Sequence, residues 1–194
     1  MRRPPVPALH PMAAGAGGER AGDVNMASRE RPAVLFLRMA PLWSTVDDVR
    51  RLVESFCAGA CPDADREQQL ALAAHELVQN AFASGPSSDV ELELELDPDA
   101  GRARLSVTSA CEPERLPALR ARVARVQAAR DPLAGYLEAM KENPEGRGGL
   151  GLSRIRYESE LELGIEVRGS RVTVHAAGRL RDAPSPARRG RGTG

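Results

Sequence analysis

Residues 90–96 alternate strictly between aliphatic and acidic side chains, and this alternation constrains the fold more than any other feature of the chain. The aliphatic positions are Val90, Leu92, Leu94 and Leu96, and the acidic positions are Glu91, Glu93 and Glu95. Successive side chains of a β-strand point to opposite faces, so the pattern predicts a strand with one buried and one solvated acidic face. Another layer of structure must then cover the aliphatic face.

A turn and a returning strand follow this segment directly. Residues 97–101 have a typical turn composition, and residues 102–107 again favour a strand. We expect Arg102 and Arg104 on its outer face, paired with the glutamates of the first strand at about 0.2–1 kcal/mol for each pair. The acidic side is therefore interpreted as a solvated sheet face and not as a metal site or a DNA mimic.

The remaining segments predict the elements that complete the domain. Apolar or alternating runs predict further strands at residues 34–37, 161–167 and 172–176. Helical spacing predicts a helix that Ser44 or Thr45 caps, with a buried stripe of Val46, Val49, Leu52, Val53 and Phe56. It predicts four more helices, one that starts after residue 63 and ends at the breaker at 84–86, and others at 116–126, 133–140 and 153–157. The order β-α-α-β-β-α-α-α-β-β predicts an α+β fold, a two-layer α/β sandwich with a mostly antiparallel sheet.

Composition indicates one globular domain with two polar ends. Hydrophobic residues make up 42% and charged residues 28% of the 194 residues, which is a globular balance. We expect a disordered tail at residues 1–31, an ordered domain at 32–178 and a disordered basic tail at 179–194. The first tail lacks the apolar stretch of a secretory signal, and Met26 is a second candidate for the translation start.

Charge and cysteine content exclude several classes of protein. The 27 basic and 27 acidic residues cancel, which argues against a nucleic-acid partner. No apolar run approaches the roughly 20 residues that span a bilayer, which argues against a membrane protein. Cys57, Cys61 and Cys111 have no neighbouring histidine cluster, so we expect small buried side chains in a reducing, cytoplasmic compartment. A redox pair of Cys57 and Cys61 is the alternative.

The segment HELVQNA at residues 75–81 is the first candidate for chemistry. Glu76 and Asn80 are four residues apart and therefore project from one side of the predicted helix. A carboxylate and a carboxamide so placed suit a hydrated magnesium ion on nucleotide phosphates, and the carboxylate also suits a general base. The same pattern fits the polar border of an amphipathic helix. A zinc-protease motif is excluded, because Gln79 stands where a second histidine is needed.

The glycine-rich segment at residues 146–152 is the second candidate. Its spacing matches a dinucleotide-binding fingerprint, but residues 138–145 predict the end of a helix and not the strand that this fingerprint requires. A Walker A loop is also excluded, because Lys141, the one lysine of the chain, lies outside the segment. There remains a loop that leads into a helix N-terminus, where backbone N–H groups hold phosphate and Arg147 adds charge. A plain linker is the alternative.

The two segments together resemble the histidine-kinase-like ATPase superfamily, also called GHKL or Bergerat-fold proteins. A helix with E-L-V-x-N-A, a hairpin, G-G-L-G-L-S opening a helix and a terminal hairpin are typical of it, in this order. The resemblance implies that Asn80 coordinates magnesium on the phosphates of bound ATP and that Glu76 polarises the attacking group. The implied lid over ATP consists of Gly148, Gly149 and Gly151.

Within this superfamily the chain is similar to stand-alone regulatory kinases, namely anti-sigma-factor serine kinases and, more closely, the SiaB-like family. The closer likeness depends on the helical insert at residues 114–143 and on G-L-S-R-I at residues 151–155. The resemblance implies phosphorylation of a serine or threonine on a STAS-type anti-anti-sigma protein, or binding to a sigma factor. It also admits a homodimer.

One motif of the superfamily is absent. Most members have an Asp-x-Gly loop after the middle strand, whose aspartate reads the adenine amino group, but this strand ends V-T-S-A-C-E-P at residues 107–113. Thr108 or Ser109 would supply a weaker hydrogen bond to the base. The absent loop favours a non-catalytic interaction module of the same fold as one alternative function. A nucleotide-gated anti-sigma factor, which binds its target without phosphorylating it, is another.

Overall fold

The computed structural model describes residues 32–61, 63–84, 89–143 and 149–180. These residues form five strands and five helices, and a short 3-10 turn at Trp43–Thr45 lies between the first strand and the first helix. The strands are β1 (Ala33–Met39), β2 (Val90–Asp97), β3 (Arg102–Ala110), β4 (Glu162–Arg168) and β5 (Arg171–Arg179). The helices are α1 (Val46–Ala60), α2 (Ala64–Ser84), α3 (Leu116–Ala128), α4 (Pro132–Glu142) and α5 (Leu150–Glu158). The element order is the one that the sequence predicts.

The five strands form one antiparallel sheet in the order β1-β2-β3-β5-β4. The even-numbered residues 90–96 are fully buried, as their alternation predicts, and α2 packs on β2 and β3 through an apolar face. That face includes Leu70, Leu77, Val78 and Phe82, each at most 2% exposed. Helices therefore cover one face of the sheet and the other face meets water, which confirms the α+β two-layer sandwich.

The hairpin arginines do not pair with the glutamates as predicted. Arg104 lies opposite Glu95 in the register of β2 and β3, but its guanidinium contacts Glu166 of β4 at 3.4 Å. Arg102 lies opposite Asp97 and has no ion pair among the described residues. The Arg104 side chain reaches across β5 to β4, past the small Ala177 opposite it, so the register with the adjacent strand alone does not determine the partner.

The acidic face of β2 obtains its cations from other strands. Glu91 contacts Arg38 of β1 at 3.1 Å and Arg171 of β5 at 2.6 Å. These ion pairs connect β1, β2 and β5 across the outer face of the sheet. The interpretation of this face as a solvated sheet surface agrees with the ion pairs.

The structure corrects details of α1. The buried stripe comprises Val46, Val49, Val53 and Cys57. Leu52 is 43% exposed, because one residue before Val53 it is turned by about 100° from the stripe. Thr45 is the N-cap residue, but its hydroxyl donates to the carbonyl of Leu42 at 2.7 Å and does not cap the helix.

The last helix and the last strand are longer than predicted. α5 begins at Leu150, three residues before the predicted start at Ser153. β5 extends to Arg179, and Leu180 is buried while its N–H donates to the carbonyl of Gly101 at 2.9 Å. Both residues belong to the region predicted as the C-terminal tail. The rest of that tail and all of residues 1–31 lie outside the described residues.

Among the described helices, none combines the length and the apolar character that crossing a membrane requires.

Candidate functional site

A cleft of about 510 Å³ lies between α2 and the start of α5. Its volume falls within the roughly 300–1,000 Å³ of typical ligand pockets. The cleft brings together the two segments that the sequence singles out, which are more than 60 residues apart in the chain. The described lining residues are Trp43, Glu76, Gln79, Asn80, Ala83, Tyr136, Gly149, Leu150, Gly151, Arg154 and Glu158.

Glu76 and Asn80 form one wall of the cleft from consecutive turns of α2. The side chain of Glu76 is 12% exposed, so its carboxylate lies mostly inside the wall. The Asn80 Nδ2 atom donates to the backbone carbonyl of Glu76 at 2.9 Å. This bond fixes the carboxamide, and the Oδ1 atom is then the one that Asn80 offers to a cation.

Gly151 lies against Glu76 and not in a flexible loop. It belongs to the first turn of α5, and a Cβ atom there would overlap Glu76 Oε2 and lie 3.2 Å from Glu76 Cδ. The Glu76 carboxylate therefore occupies the space that a side chain at position 151 would fill. This close approach explains a glycine inside a helix, where it is unfavourable by about 1 kcal/mol.

Gly149 begins α5 in a conformation that favours glycine. Its φ of 96° is left-handed, and it is the N-cap residue of the helix. Arg122 of α3 brings its Nη1 atom within 3.8 Å of the position that a Cβ of Gly149 would take. A helix N-terminus and a guanidinium both favour anions. Of the other predicted lid residues, Arg147 and Gly148 lie outside the described residues.

Arg154 is a cleft residue that the sequence reasoning did not single out. Its Nη1 atom contacts Glu76 Oε1 at 3.2 Å, and its Nε atom contacts Glu158 Oε1 at 2.8 Å. The hydrogen bond to Glu158, more than the nearby Glu76, raises the pKa of Arg154 above its ordinary value. The spacing of Arg154 and Glu158 within α5 is a local signal, but no local signal joins Arg154 to Glu76.

Ser109 does not reach the cleft. It is 2% exposed on β3, under α2, and lines a cavity of about 10 Å³ that Asn80 borders from above. That volume is about one water molecule by the same measure. A purine therefore has no room beside Ser109 in this arrangement. The other candidate for the base, Thr108, faces the outer side of the sheet, where its hydroxyl contacts that of Thr173 at 2.8 Å.

No group of three or more histidine, cysteine, aspartate or glutamate side chains that could hold a metal ion occurs in the part of the chain that the structure describes. A cation at the cleft would therefore have to take most of its ligands from water or from a bound molecule. Magnesium is the cation that commonly does so, with one or two protein oxygens. The donor set around Asn80 fits that pattern.

No family model and no curated protein matches this chain. Its fold is similar to that of a chain in the crystal structure of the SiaB–SiaC complex from Pseudomonas aeruginosa, with a TM-score of 0.56. The two chains are 15% identical, and the match covers 74% of this chain and 88% of that one. At this level of identity the likeness shows the fold, in agreement with the α+β sandwich described above.

Proposed function

We propose that this protein binds ATP with magnesium and acts as a serine/threonine protein kinase of the anti-sigma/STAS partner-switching type, in the GHKL superfamily. The observation that carries the proposal is the convergence of Glu76 and Asn80 on α2 with Gly149 and Gly151 on α5 at one cleft. The sequence likeness to SiaB-like proteins and the similar fold in the SiaB–SiaC complex support it. That complex also motivates a protein partner for this chain.

The end of the cleft between Asn80 and the start of α5 has groups suited to magnesium and phosphate, which supports the proposed ATP binding. Asn80 Oδ1 would bind the magnesium ion, and the N–H groups at the start of α5 would donate to phosphate oxygens. Bound ATP and magnesium would supply the phosphoryl group and neutralise its charge. Such a transfer needs positioning and charge stabilisation more than covalent help from the protein.

Glu76 is the residue proposed to align or deprotonate the acceptor hydroxyl. Its contact with Gly151 holds the carboxylate at the junction of α2 and α5. Its ion pair with Arg154 occupies one of its oxygens. A serine or threonine hydroxyl that approaches this oxygen therefore competes with Arg154 for it.

A non-catalytic interaction module of the same fold is the second candidate. The observation that favours it is the cavity of about 10 Å³ at Ser109, together with the absent Asp-x-Gly loop. Without a carboxylate to read the adenine amino group and without space beside Ser109, the base would lose its usual anchor. A nucleotide-gated anti-sigma factor is intermediate between the kinase and this module, since it needs ATP binding but no phosphoryl transfer.

Thermal unfolding with and without ATP and magnesium tests the proposed binding. A ligand at about 100 times its dissociation constant adds about 2.7 kcal/mol to the stability of the folded state. We expect this gain for the wild type and its loss in Asn80→Ala. Gln68→Ala is the matched control, because Gln68 is an exposed carboxamide on the same helix outside the cleft. If millimolar ATP does not raise the unfolding temperature of the wild type, the functions that need ATP are excluded and the interaction module remains.

Phosphoryl transfer is tested with labelled ATP and a STAS-domain protein encoded by a neighbouring gene. Label on a serine or threonine of that protein, lost in Glu76→Gln, supports the kinase. Nucleotide-dependent binding to a partner without any label would favour the nucleotide-gated anti-sigma factor instead.

A further inference from the structure

Arg154 is shared between two carboxylates and is fully committed to neither. Glu76 accepts from its Nη1 atom and Glu158 from its Nε atom, so the paired, fork-like geometry that makes arginine–carboxylate bonds strong is absent from both contacts. The Arg154 side chain is 42% exposed. The Glu158 side chain is 35% exposed, and exposed ion pairs contribute about 0–1 kcal/mol, so an incoming anion can readily displace it. Glu76 is 12% exposed, so releasing it costs more, and only an anion that itself bonds to Arg154 can offset that cost.

The charge of the cleft requires such an exchange if a polyanion is to enter. Its described lining contains two carboxylates, Glu76 and Glu158, and one cation, Arg154. Beside these carboxylates the excess of negative charge opposes phosphate, because like charges brought together in an interface are costly. At the start of α5 the helix N-terminus and the Arg122 guanidinium near Gly149 favour it. Arg154 is the cleft-lining cation that is able to reverse this balance, and it lies one turn after Leu150 at the helix N-terminus.

We propose that Arg154 binds the γ-phosphate of the nucleotide and, by binding it, releases Glu76. This proposal deepens the function proposed above and depends on it. In the nucleotide-free state the guanidinium holds Glu76. With a γ-phosphate present, the Nη1 N–H group changes its acceptor from the Glu76 carboxylate to a phosphate oxygen, since arginine binds both kinds of anion.

Two consequences follow from this exchange. First, Arg154 acts as a specificity residue, since a nucleoside diphosphate leaves the guanidinium with Glu76 whereas a triphosphate does not. Second, Glu76 becomes available to an acceptor hydroxyl when the phosphoryl donor is bound and is otherwise engaged. Arg154 thereby links occupation of the cleft to the state of the proposed base. No breakage of a covalent bond is involved, only the replacement of one hydrogen-bond acceptor by another.

Dissociation constants for ATP and for ADP, both with magnesium, test this proposal in the full-length protein. In Arg154→Ala we expect affinity for ATP to fall by at least about tenfold, the loss typical of one charge-assisted hydrogen bond, and affinity for ADP to change by less than about twofold. Arg154→Lys keeps the positive charge but lacks the planar guanidinium, so its affinity for ATP should lie between those of the wild type and of Arg154→Ala. Arg51→Ala is the matched control, because Arg51 makes an exposed ion pair with Asp48 on α1 outside the cleft.

Glu158→Gln provides an independent measurement that leaves Arg154 in place. Without its second carboxylate, Arg154 is freer to turn to phosphate, so ATP affinity should rise about two- to fivefold. ADP affinity should rise less, because ADP gains only from the loss of one negative charge in the cleft lining. Equal losses for ATP and ADP in Arg154→Ala, or no loss at all, would overturn the role of Arg154 while ATP binding by the wild type stands. If the wild type binds neither nucleotide, the proposed function itself fails, and with it this inference.

Discussion

Single residues in this protein have surroundings that their position in the sequence does not reveal, and His175 is an example. Its ring lies over Gly164 of the neighbouring strand, where a Cβ atom would overlap the ring. Burial, and then the positive charge of Arg104, lowers the pKa of His175 below its ordinary value of 6.5, while Glu166 acts in the opposite direction. The Nδ1 atom of this histidine is buried without a hydrogen-bond partner among the described residues.

The surroundings of His175 predict that the folded protein loses stability in acid. Because the folded-state pKa of His175 is lowered, the unfolded chain takes up the proton first as pH falls below 6.5, and the free energy of unfolding decreases there. In His175→Gln the decrease between about pH 6.5 and pH 5 should be smaller than in the wild type. Urea unfolding at a series of pH values measures this. Parallel pH profiles for the two proteins would contradict the prediction.

Elements of the structure differ in how much their sequence alone reveals. Apolar spacing and breakers identify all five helices, but α5 starts at Leu150 and not at Ser153. The reason is Gly149 and Gly151, which read locally as loop residues. Gly149 provides the left-handed N-cap, and Gly151 makes room for Glu76 of a different helix.

Gly59 and Gly151 both lie in helices, and replacing each with alanine should change the free energy of unfolding in opposite directions. Nothing lies within 4 Å of a Cβ at Gly59 in α1, so Gly59→Ala should raise the free energy of unfolding by about 0.5–1 kcal/mol. Gly151→Ala displaces the Glu76 carboxylate, and overpacking costs about 1–3 kcal/mol. Its free energy of unfolding should lie at least about 1 kcal/mol below that of Gly59→Ala in the same urea titration. Equal stabilisation by both alanines would show that α5 does not pack on Glu76 in solution.

At the scale of the whole molecule, the cleft exists because distant segments fold against each other. The Nη1 atom of Arg66 on α2 donates to the carbonyl of Ser159 at 2.8 Å, and the Ser159 hydroxyl donates to the carbonyl of Gln69 at 3.2 Å. These bonds join the C-terminal end of α5 to the start of α2. They thereby set the position at which Gly151 meets Glu76 at the other end of α5.

The three cysteines lie in the packed interior of the domain. Cys57, Cys61 and Cys111 are free thiols and buried, in agreement with the prediction of small buried side chains. Burial, followed by the charges of Cys61 and Glu67, raises the pKa of Cys57 to about 12. A thiol with so high a pKa has almost no thiolate at neutral pH, which argues against the alternative of a redox pair.

We therefore expect Cys57 to react with thiol reagents only when the domain unfolds. In a variant with Cys61→Ala and Cys111→Ala, labelling of the remaining thiol by an aromatic disulfide at pH 8 should increase with urea at the same midpoint as the loss of circular dichroism. The physical reason is that α1 must leave the core before Cys57 meets the reagent. Rapid and complete labelling of this variant in the absence of urea would show that the C-terminal end of α1 opens locally.

The strands, the helices and the α+β class follow from the sequence alone, because they depend on periodicity and turn residues among neighbouring positions, as the alternation at 90–96 shows. The sequence likewise indicates Glu76 and Asn80 on one side of a helix. Only the tertiary structure decides that Arg154 meets Glu76, that Ser109 is enclosed under α2 and that Arg38 and Arg171 supply the cations for Glu91. These contacts join residues on different elements, and their partners depend on strand order and helix packing, which no local pattern encodes.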